Sequence, residues 1–217
     1  MHNGFINVDN EKMSKSVGNL FTVRDIAQQF EYPVMRFFLL TGHYRMPINF
    51  SAELLTAAQN GLLRIRTCVE NLVFLTPTAP AEATDASAVE AASELALAIV
   101  KAKDSFVEAM DDDLNTPDAL AAIFELVRAA NTAASVPGVP SSALQAAETA
   151  LRELCGVLGL EFEAQDTVPA AVNALVEART AAKKARDFKE ADRIRDEIKS
   201  LGYIVADTPQ GPKVTRA

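Results

Sequence analysis

Helical periodicity constrains this chain more than any other feature. Leu54, Leu55, Ala58, Leu62, Ile65, Val69 and Leu72 recur at three- and four-residue intervals, the spacing that lines one face of an α-helix. Ser51 stands where an N-cap belongs, so a helix is expected over 52–75. An Ala-rich segment over 86–112 repeats the pattern with Leu95, Ala98, Ile99, Ala102, Phe106 and Met110, and its small residues suit helix-on-helix packing. Residues 117–134 and 141–158 read as two further helices, with Thr116 as cap and Pro117 in the first position of the former. The loop Ser135-Val136-Pro137-Gly138-Val139-Pro140 separates them. Connections this short predict an antiparallel bundle. Upstream, Pro33 opens a helix ending near Gly42, ahead of a polar turn over 42–47.

Two breaks divide the pattern. Residues 76–85, with Pro77 and Pro80 among small residues, are the expected boundary between modules, and residues 161–169 form a second linker. Beyond it, helices over 170–186 and 188–201 lead to Gly202 at a C-cap position, then to a strand over 203–207 and a turn at 208–211 from which residues 213–215 pair back. The expected fold is mainly α, in three parts. These are a loop-bearing subdomain with helices over 1–75, an antiparallel helical bundle over 86–160, and a small α+β module over 168–217 that ends in a β-hairpin.

Composition removes several function classes. With 49% hydrophobic and 23% charged residues, the chain has ordinary globular composition, and no apolar run approaches the ~20 residues that span a bilayer. The N-terminus lacks the basic-then-apolar order of a secretory signal. Cys68 and Cys155 lie singly inside apolar helical patterns, which excludes a disulfide framework and fits a reducing cytoplasm. His2 and His43 are too far apart to offer metal-ligand spacing. Consecutive helical side chains point about 100° apart, so the run Asp111-Asp112-Asp113 does not converge on one ion either, and no metal is expected. His43 has no acid or nucleophile placed beside it by sequence and reads as structural. The net charge is −8, against indiscriminate nucleic-acid binding, yet its distribution is uneven. Residues 170–217 carry ten Lys/Arg and seven Asp/Glu, net +3, while residues 1–169 carry −11. That tail is either an RNA contact surface or a solvated, salt-bridged pair of helices.

The chemistry-bearing stretch is Lys12-Met13-Ser14-Lys15-Ser16, followed by Val17-Gly18-Asn19. It is too polar for a core strand and too rich in Ser, Gly and Asn for a helix interior, and so reads as a mobile cationic loop. Residues 4–9 before it alternate like a half-buried strand. Thr22 after it caps a helix, with Asp25 completing an approximate capping box. A generic loop of this composition is a solvated turn, but this pentapeptide should arise by chance in a chain of this length only about once in ten thousand sequences. It resembles the signature loop of class I aminoacyl-tRNA synthetases. Its flanks, His2-Asn3-Gly4-Phe5 and Phe21-Thr22-Val23-Arg24-Asp25, resemble the cysteinyl-tRNA synthetase branch.

That resemblance implies a role for each residue. Activation of an amino acid by ATP expels pyrophosphate, and cations aimed at the growing charge stabilise its departure. Lys12 and Lys15 would be the catalytic cations on the ATP phosphates, with magnesium accompanying the ATP. Ser14 and Ser16 would shape the ATP-binding loop, Met13 would pack it down, and Gly18 would be its hinge. The stretch from Phe106 to Pro117 is similar to the start of the family's helical bundle. Arg186-Asp187-Phe188, Ala191-Asp192 and Asp207-Thr208-Pro209-Gln210-Gly211 are similar to its anticodon-recognition module. There Lys183, Lys184 and Arg186 would face tRNA phosphates or base edges, and Asp192 and Asp207 would accept hydrogen bonds from anticodon bases.

The match has departures and gaps. Lys183 stands where the family usually has Arg and Arg186 where it has Lys, and Val214 replaces a Trp, which removes a stacking platform there. No His-Ile-Gly-His motif is present, and the family's zinc ligands belong to an upstream region, so Met1 reads either as an internal residue of a longer enzyme or as the start of an expressed piece of it. The implied parent is a cytoplasmic, monomeric enzyme that joins cysteine to tRNA(Cys) with ATP and has no membrane contact. This portion alone is expected neither to bind cysteine tightly nor to form the adenylate. Two alternatives remain. A ligase of the same superfamily that condenses cysteine with an amino sugar would lack the 183–211 module, and a non-catalytic helical RNA-binding protein would leave the lysine loop idle.

Overall fold

The computed structural model describes the chain apart from residues 1, 10, 15–17, 20–21, 163–168, 209–210 and 217, and apart from the side chains of 170, 215 and 216. The chain forms two compact units, residues 1–161 and 162–217. The first holds β1 (Ile6–Val8), β2 (Glu11–Lys12), α1 (Val23–Ile26), α2 (Tyr32–Leu40), β3 (Ile48–Phe50), α3 (Ala52–Leu75), a 3-10 turn at Thr76–Thr78, α4 (Ala86–Asp111), α5 (Thr116–Ala134) and α6 (Ser141–Val157). The second holds α7 (Ala170–Lys184), α8 (Phe188–Ser200), β4 (Tyr203–Thr208) and β5 (Gly211–Arg216).

Each long helix begins where a short polar side chain can satisfy a free backbone N–H. Ser51 Oγ accepts from the Leu54 amide at 3.3 Å to open α3, and Asp85 Oδ1 accepts from Ala88 at 2.9 Å to open α4. The cap of α5 is Asn115 rather than Thr116, which moves to the first helical position with Pro117 behind it. Asn is the stronger cap, and its Oδ1 accepts from the Asp118 amide at 3.3 Å. Of the predicted stripes, Leu62, Ile65, Val69 and Leu72 of α3 and Leu95 and Phe106 of α4 are nearly inaccessible while Leu54 stays exposed, and Ile123 and Leu126 of α5 and Leu151 of α6 are buried with them.

The expected boundary at 76–85 does not separate compact units. Helix α3 packs on α5 and α6, so the stripe predicted for a separate 1–75 subdomain is part of the bundle's own core. The Cys68 thiol spans this contact, donating to the Val127 carbonyl at 3.8 Å. Burial pushes the thiols up, Cys68 to about 11 and Cys155 to about 12, so both stay protonated. The Pro-rich stretch itself is tied down by backbone bonds, Ser141 N to Pro80 O at 2.8 Å and Thr84 N to Gly138 O at 3.3 Å. Gly138 has φ +82°, and a Cβ there would overlap the Thr84 side chain.

A small sheet of order β2-β1-β3 completes the first unit. β1 pairs antiparallel with β2, placing Asn7 opposite Lys12, and parallel with β3, placing Ile6 opposite Ile48 and Val8 opposite Phe50. The sequence reading placed β1, inside the alternating stretch 4–9, but neither β2 nor β3: β2 has only two residues, and the alternation of Ile48-Asn49-Phe50 stops after three. Helix α2 joins this sheet to the bundle. The Phe38 ring meets Phe50 of β3 edge-on at 5.8 Å, and the Phe37 ring meets Phe124 of α5 edge-on at 6.3 Å.

In the second unit, α7 and α8 cover one face of the β4–β5 hairpin, with Val172, Val176, Ile194, Ile198 and Val205 as its core. Val214 packs half-buried against that core, opposite Val205 in the hairpin register, so the position works as a hydrophobic contact. Gly202 ends α8 with φ +83°, as its C-cap placement predicted.

Because α3 shares its core with α4–α6, Leu72→Ala should destabilise the whole first unit by about 2–5 kcal/mol. Urea melts followed by amide hydrogen exchange would show the amides of α3 and α5 losing protection together. Loss confined to α3 would restore a domain boundary at 76–85.

Candidate functional site

The lysine loop is built on an edge strand. Lys12 lies in β2, whose outer side has no further strand among the described residues. The turn into β2 uses Asp9 with φ 48°, a left-handed conformation that Asp tolerates, and the Asp9 amide donates to Phe50 O of β3 at 3.2 Å. Met13 N donates to Ile6 O at 3.3 Å and continues the pairing past β2. The exposed Lys12 ammonium lies 4.5 Å from the centre of the Phe5 ring, and no ion pair to it exists among the described residues. An ammonium held only over an aromatic face is weakly retained and can move to an anion.

Asn19 closes the loop, a function the sequence reading did not assign to it. Its Oδ1 accepts from the Ser14 amide at 2.9 Å, and its Nδ2 donates to the Lys12 carbonyl at 3.4 Å. The amide side chain therefore bridges both limbs of the segment. An Asn following a left-handed Gly was the available signal, and Gly18 does take φ +77°. Lys15 and Ser16, the other two residues assigned to this site, lie outside the described residues. Beyond the loop, Thr22 Oγ1 accepts from the Asp25 amide at 3.3 Å while the Asp25 carboxylate accepts from Thr22 N at 2.7 Å, the reciprocal capping box predicted for α1. Those bonds hold the Asp25 carboxyl below its ordinary value. The helix they open is only one turn long.

The residues assigned to the C-terminal module are arranged differently from the expectation of separate contacts. Asp207 and Lys183 hold one another: Lys183 Nζ donates to Asp207 Oδ2 at 2.6 Å. Arg179, which the sequence reading did not single out, donates to both oxygens of the same carboxylate at 2.8 and 2.9 Å. Arg179 is only 6% exposed, and its Nε has no hydrogen-bond partner among the described residues. The two cations push the Asp207 carboxyl far below the usual range, the Arg179 bonds contributing most. The sequence could not reveal this clasp, because its members are 24 and 28 residues apart and belong to a helix and a hairpin strand.

The remaining assigned residues face solvent. Lys184 closes α7 and Arg186 sits in the turn before α8 with φ 60°, both exposed. Asp192 on α8 is exposed and only loosely paired, 3.6 Å from Arg195. Phe188, the first residue of α8, is 62% exposed beside Arg186, so an aromatic face is present in the module although position 214 does not provide one.

Among the described residues no three His, Cys, Asp or Glu side chains converge as metal donors. The zinc expected of the longer enzyme therefore has no donor set among them. No described helix is long and apolar enough to cross a membrane.

Comparisons with known proteins divide the chain as its chemistry does. The family described as tRNA synthetases class I (C) catalytic domain matches residues 1–60, the DALR domain matches 105–163, and the cysteinyl-tRNA ligase anticodon binding domain matches 165–213. A cysteine–tRNA ligase of Caldicellulosiruptor saccharolyticus is 48% identical over 100% of this chain and 45% of its own length. Those of Symbiobacterium thermophilum and Brevibacillus brevis are 45% and 43% identical, again over all of this chain, and 45% and 46% of their lengths are covered. The chain thus spans about half the length of the curated relatives it matches. Among solved structures, a ternary complex of Agrobacterium radiobacter LeuRS with tRNA and LeuAMS superposes with a TM-score of 0.51 at 22% identity, over 74% of this chain and 22% of that one, a likeness of fold alone. With a synthetase catalytic segment, a DALR segment and a cysteinyl-type anticodon segment in succession, the chain belongs to the cysteine–tRNA ligase family, of which it is a C-terminal portion.

Proposed function

We propose that this chain supplies the phosphate-binding lysine loop and the tRNA-binding surfaces of a cytoplasmic cysteine–tRNA ligase. In the reaction proposed for the intact enzyme, a cysteine carboxylate oxygen attacks the α-phosphorus of ATP and pyrophosphate leaves. The terminal ribose hydroxyl of tRNA(Cys) then attacks the adenylate carbonyl and AMP leaves. Lys12 and Lys15 meet the charge that builds on the departing pyrophosphate, a task suited to point charges on flexible stems. The observation that carries this reading is the Lys12 ammonium, presented from an edge strand over the Phe5 ring with no ion pair among the described residues. Ser14 is held by Asn19 and shapes the loop, and Ser16 is assigned the same role by its place in the pentapeptide.

The C-terminal module acts as the anticodon reader in this proposal. Lys184 and Arg186 approach phosphates, Phe188 offers a face on which a base can stack, and Asp192 accepts from a base amino group. Asp207, about half exposed, keeps lone pairs beyond those used by Arg179 and Lys183, so it can still accept a base amino hydrogen while both cations hold it ionised. The anticodon-domain match over 165–213 favours this reading over the amino-sugar ligase.

Three outcomes test the proposal. In an intact ligase carrying these residues, Lys15→Ala should slow adenylate formation more than about tenfold with tRNA affinity unchanged; equal loss of both would favour a pure RNA-binding role. Truncation after Asp166 should do the reverse, weakening tRNA capture and sparing ATP–pyrophosphate exchange. The 217-residue chain alone should show no such exchange.

Acid titration tests the clasp. Its folded carboxyl is depressed, so its contribution to stability is present in full above the unfolded Asp value of about 3.9 and is lost only as the pH falls through the lower folded value. Melts of the second unit over the acid range should lose this dependence in Asp207→Asn.

A further inference from the structure

The corner between α4 and α5 carries two successive non-glycine residues in the left-handed region, Asp113 at φ 57° and Leu114 at φ 56°. Such a conformation persists only where its surroundings enforce it. The Asp113 side chain shows what does so. Its carboxylate accepts from Arg45 Nε at Oδ2, from Arg45 Nη2 at Oδ1 (2.9 Å) and from the Tyr44 hydroxyl at Oδ1 (2.7 Å), and His43 Nε2 lies 3.9 Å from Oδ2. All these groups come from one turn, the segment between α2 and β3. Within it the His43 ring stacks on Tyr44 at 4.9 Å, and the Arg45 guanidinium lies over the same Tyr44 ring at 5.4 Å.

The other side of that turn holds the segment that leads into β1 and, through it, to the lysine loop. The Tyr44 carbonyl accepts from Gly4 N at 2.6 Å, and Ile48 N donates to Phe5 O at 3.0 Å. The approach at Gly4 is so close that a Cβ would overlap the Met46 carbonyl. Gly4 and Phe5 run directly into β1, which pairs with β2 at Asn7 and Lys12, and the Phe5 ring lies under the Lys12 ammonium. An unbroken run of contacts therefore leads from the bundle corner through Asp113 and the turn to the catalytic lysine.

The magnitude of the ion pair decides its role. Arg45 and Asp113 are 62% and 43% exposed, and exposed pairs add little to global stability. A two-pronged guanidinium–carboxylate contact does fix orientation, and here the phenol fixes it further.

We propose that Asp113, Tyr44 and Arg45 form a positioning clasp through which the helical bundle sets the placement of the lysine loop. The catalytic consequence rests on the ATP-activating reading above; the mechanical link does not. Asp113 is then a positioning residue that acts through Arg45, Tyr44 and Gly4, with no contact to substrate.

The test is amide hydrogen exchange on the 217-residue chain with Asp113→Asn, Arg45→Gln and the double variant. Each single change should speed exchange at residues 4–13 by about tenfold while Leu126 and Leu151 in the bundle core are unaltered, and the double variant should be no faster than either single one. Arg45→Lys, which keeps the charge without the fork, should restore protection only in part. Unchanged exchange at 4–13, equal acceleration in the core, or additive effects in the double variant would each overturn the clasp. In the intact ligase, Asp113→Asn should lower kcat for adenylate formation and leave KM for cysteine and tRNA affinity unchanged. A parent ligase without ATP–pyrophosphate exchange would sink the functional reading and leave the exchange result standing.

Discussion

Two neighbouring phenylalanines on α2 connect the chemistry to the scaffold. Adjacent helical side chains diverge by about 100°, so Phe37 and Phe38 reach different partners. One ring seats against Phe124 of the bundle and the other against Phe50 of the sheet. Strands of two and three residues have too little pairing of their own to persist in water. Through Phe38 they borrow the rigidity of a four-helix core. Gly61 on α3 makes the seat, since a Cβ there would come within 3.0 Å of the Phe37 ring. Lys12 is therefore placed by packing several residues away from it and by its own backbone bonds, while its ammonium carries no ion pair among the described residues.

Carboxylates serve as fasteners in both units. Asp113 at the α4–α5 corner gathers Arg45 and Tyr44, whose hydrogen bonds pull its carboxyl down to about 2. Asp207 gathers Arg179 and Lys183 between helix and hairpin, and Asp25 caps the start of the one-turn helix after the loop. In a chain of net charge −8 this pairing has a consequence. Acidic groups that are hydrogen-bonded to fixed partners are not available to capture the exposed cations. Among the described residues no ion pair holds Lys12, Lys184 or Arg186.

Much of this was legible from residue order. Helix boundaries came within a residue or two because they depend on local signals: Ser51 and Thr22 as caps, Gly202 at a stop, apolar residues at a period near four. The errors have a common cause. Asn115 displaced Thr116 as a cap, residues 76–85 proved to be a tethered connection inside one unit, and β2 and β3 formed from segments too short for a periodic signal to stand out. Each outcome was decided by what the segment met in space. Arg179 shows this most clearly: in the sequence it is one of ten basic residues in the tail, while in the fold it is the buried member of a bidentate pair.

The order of residues alone determined the helical architecture, the cationic pentapeptide and the family, because caps, periodicity and a rare motif are local properties of a chain. Tertiary structure decided which charges remain available. It joined Lys183 to Asp207, joined Arg45 to Asp113 and left Lys12 on an edge strand. An ion pair needs two groups within about 4 Å, and only the packed backbone brings positions dozens of residues apart to that distance.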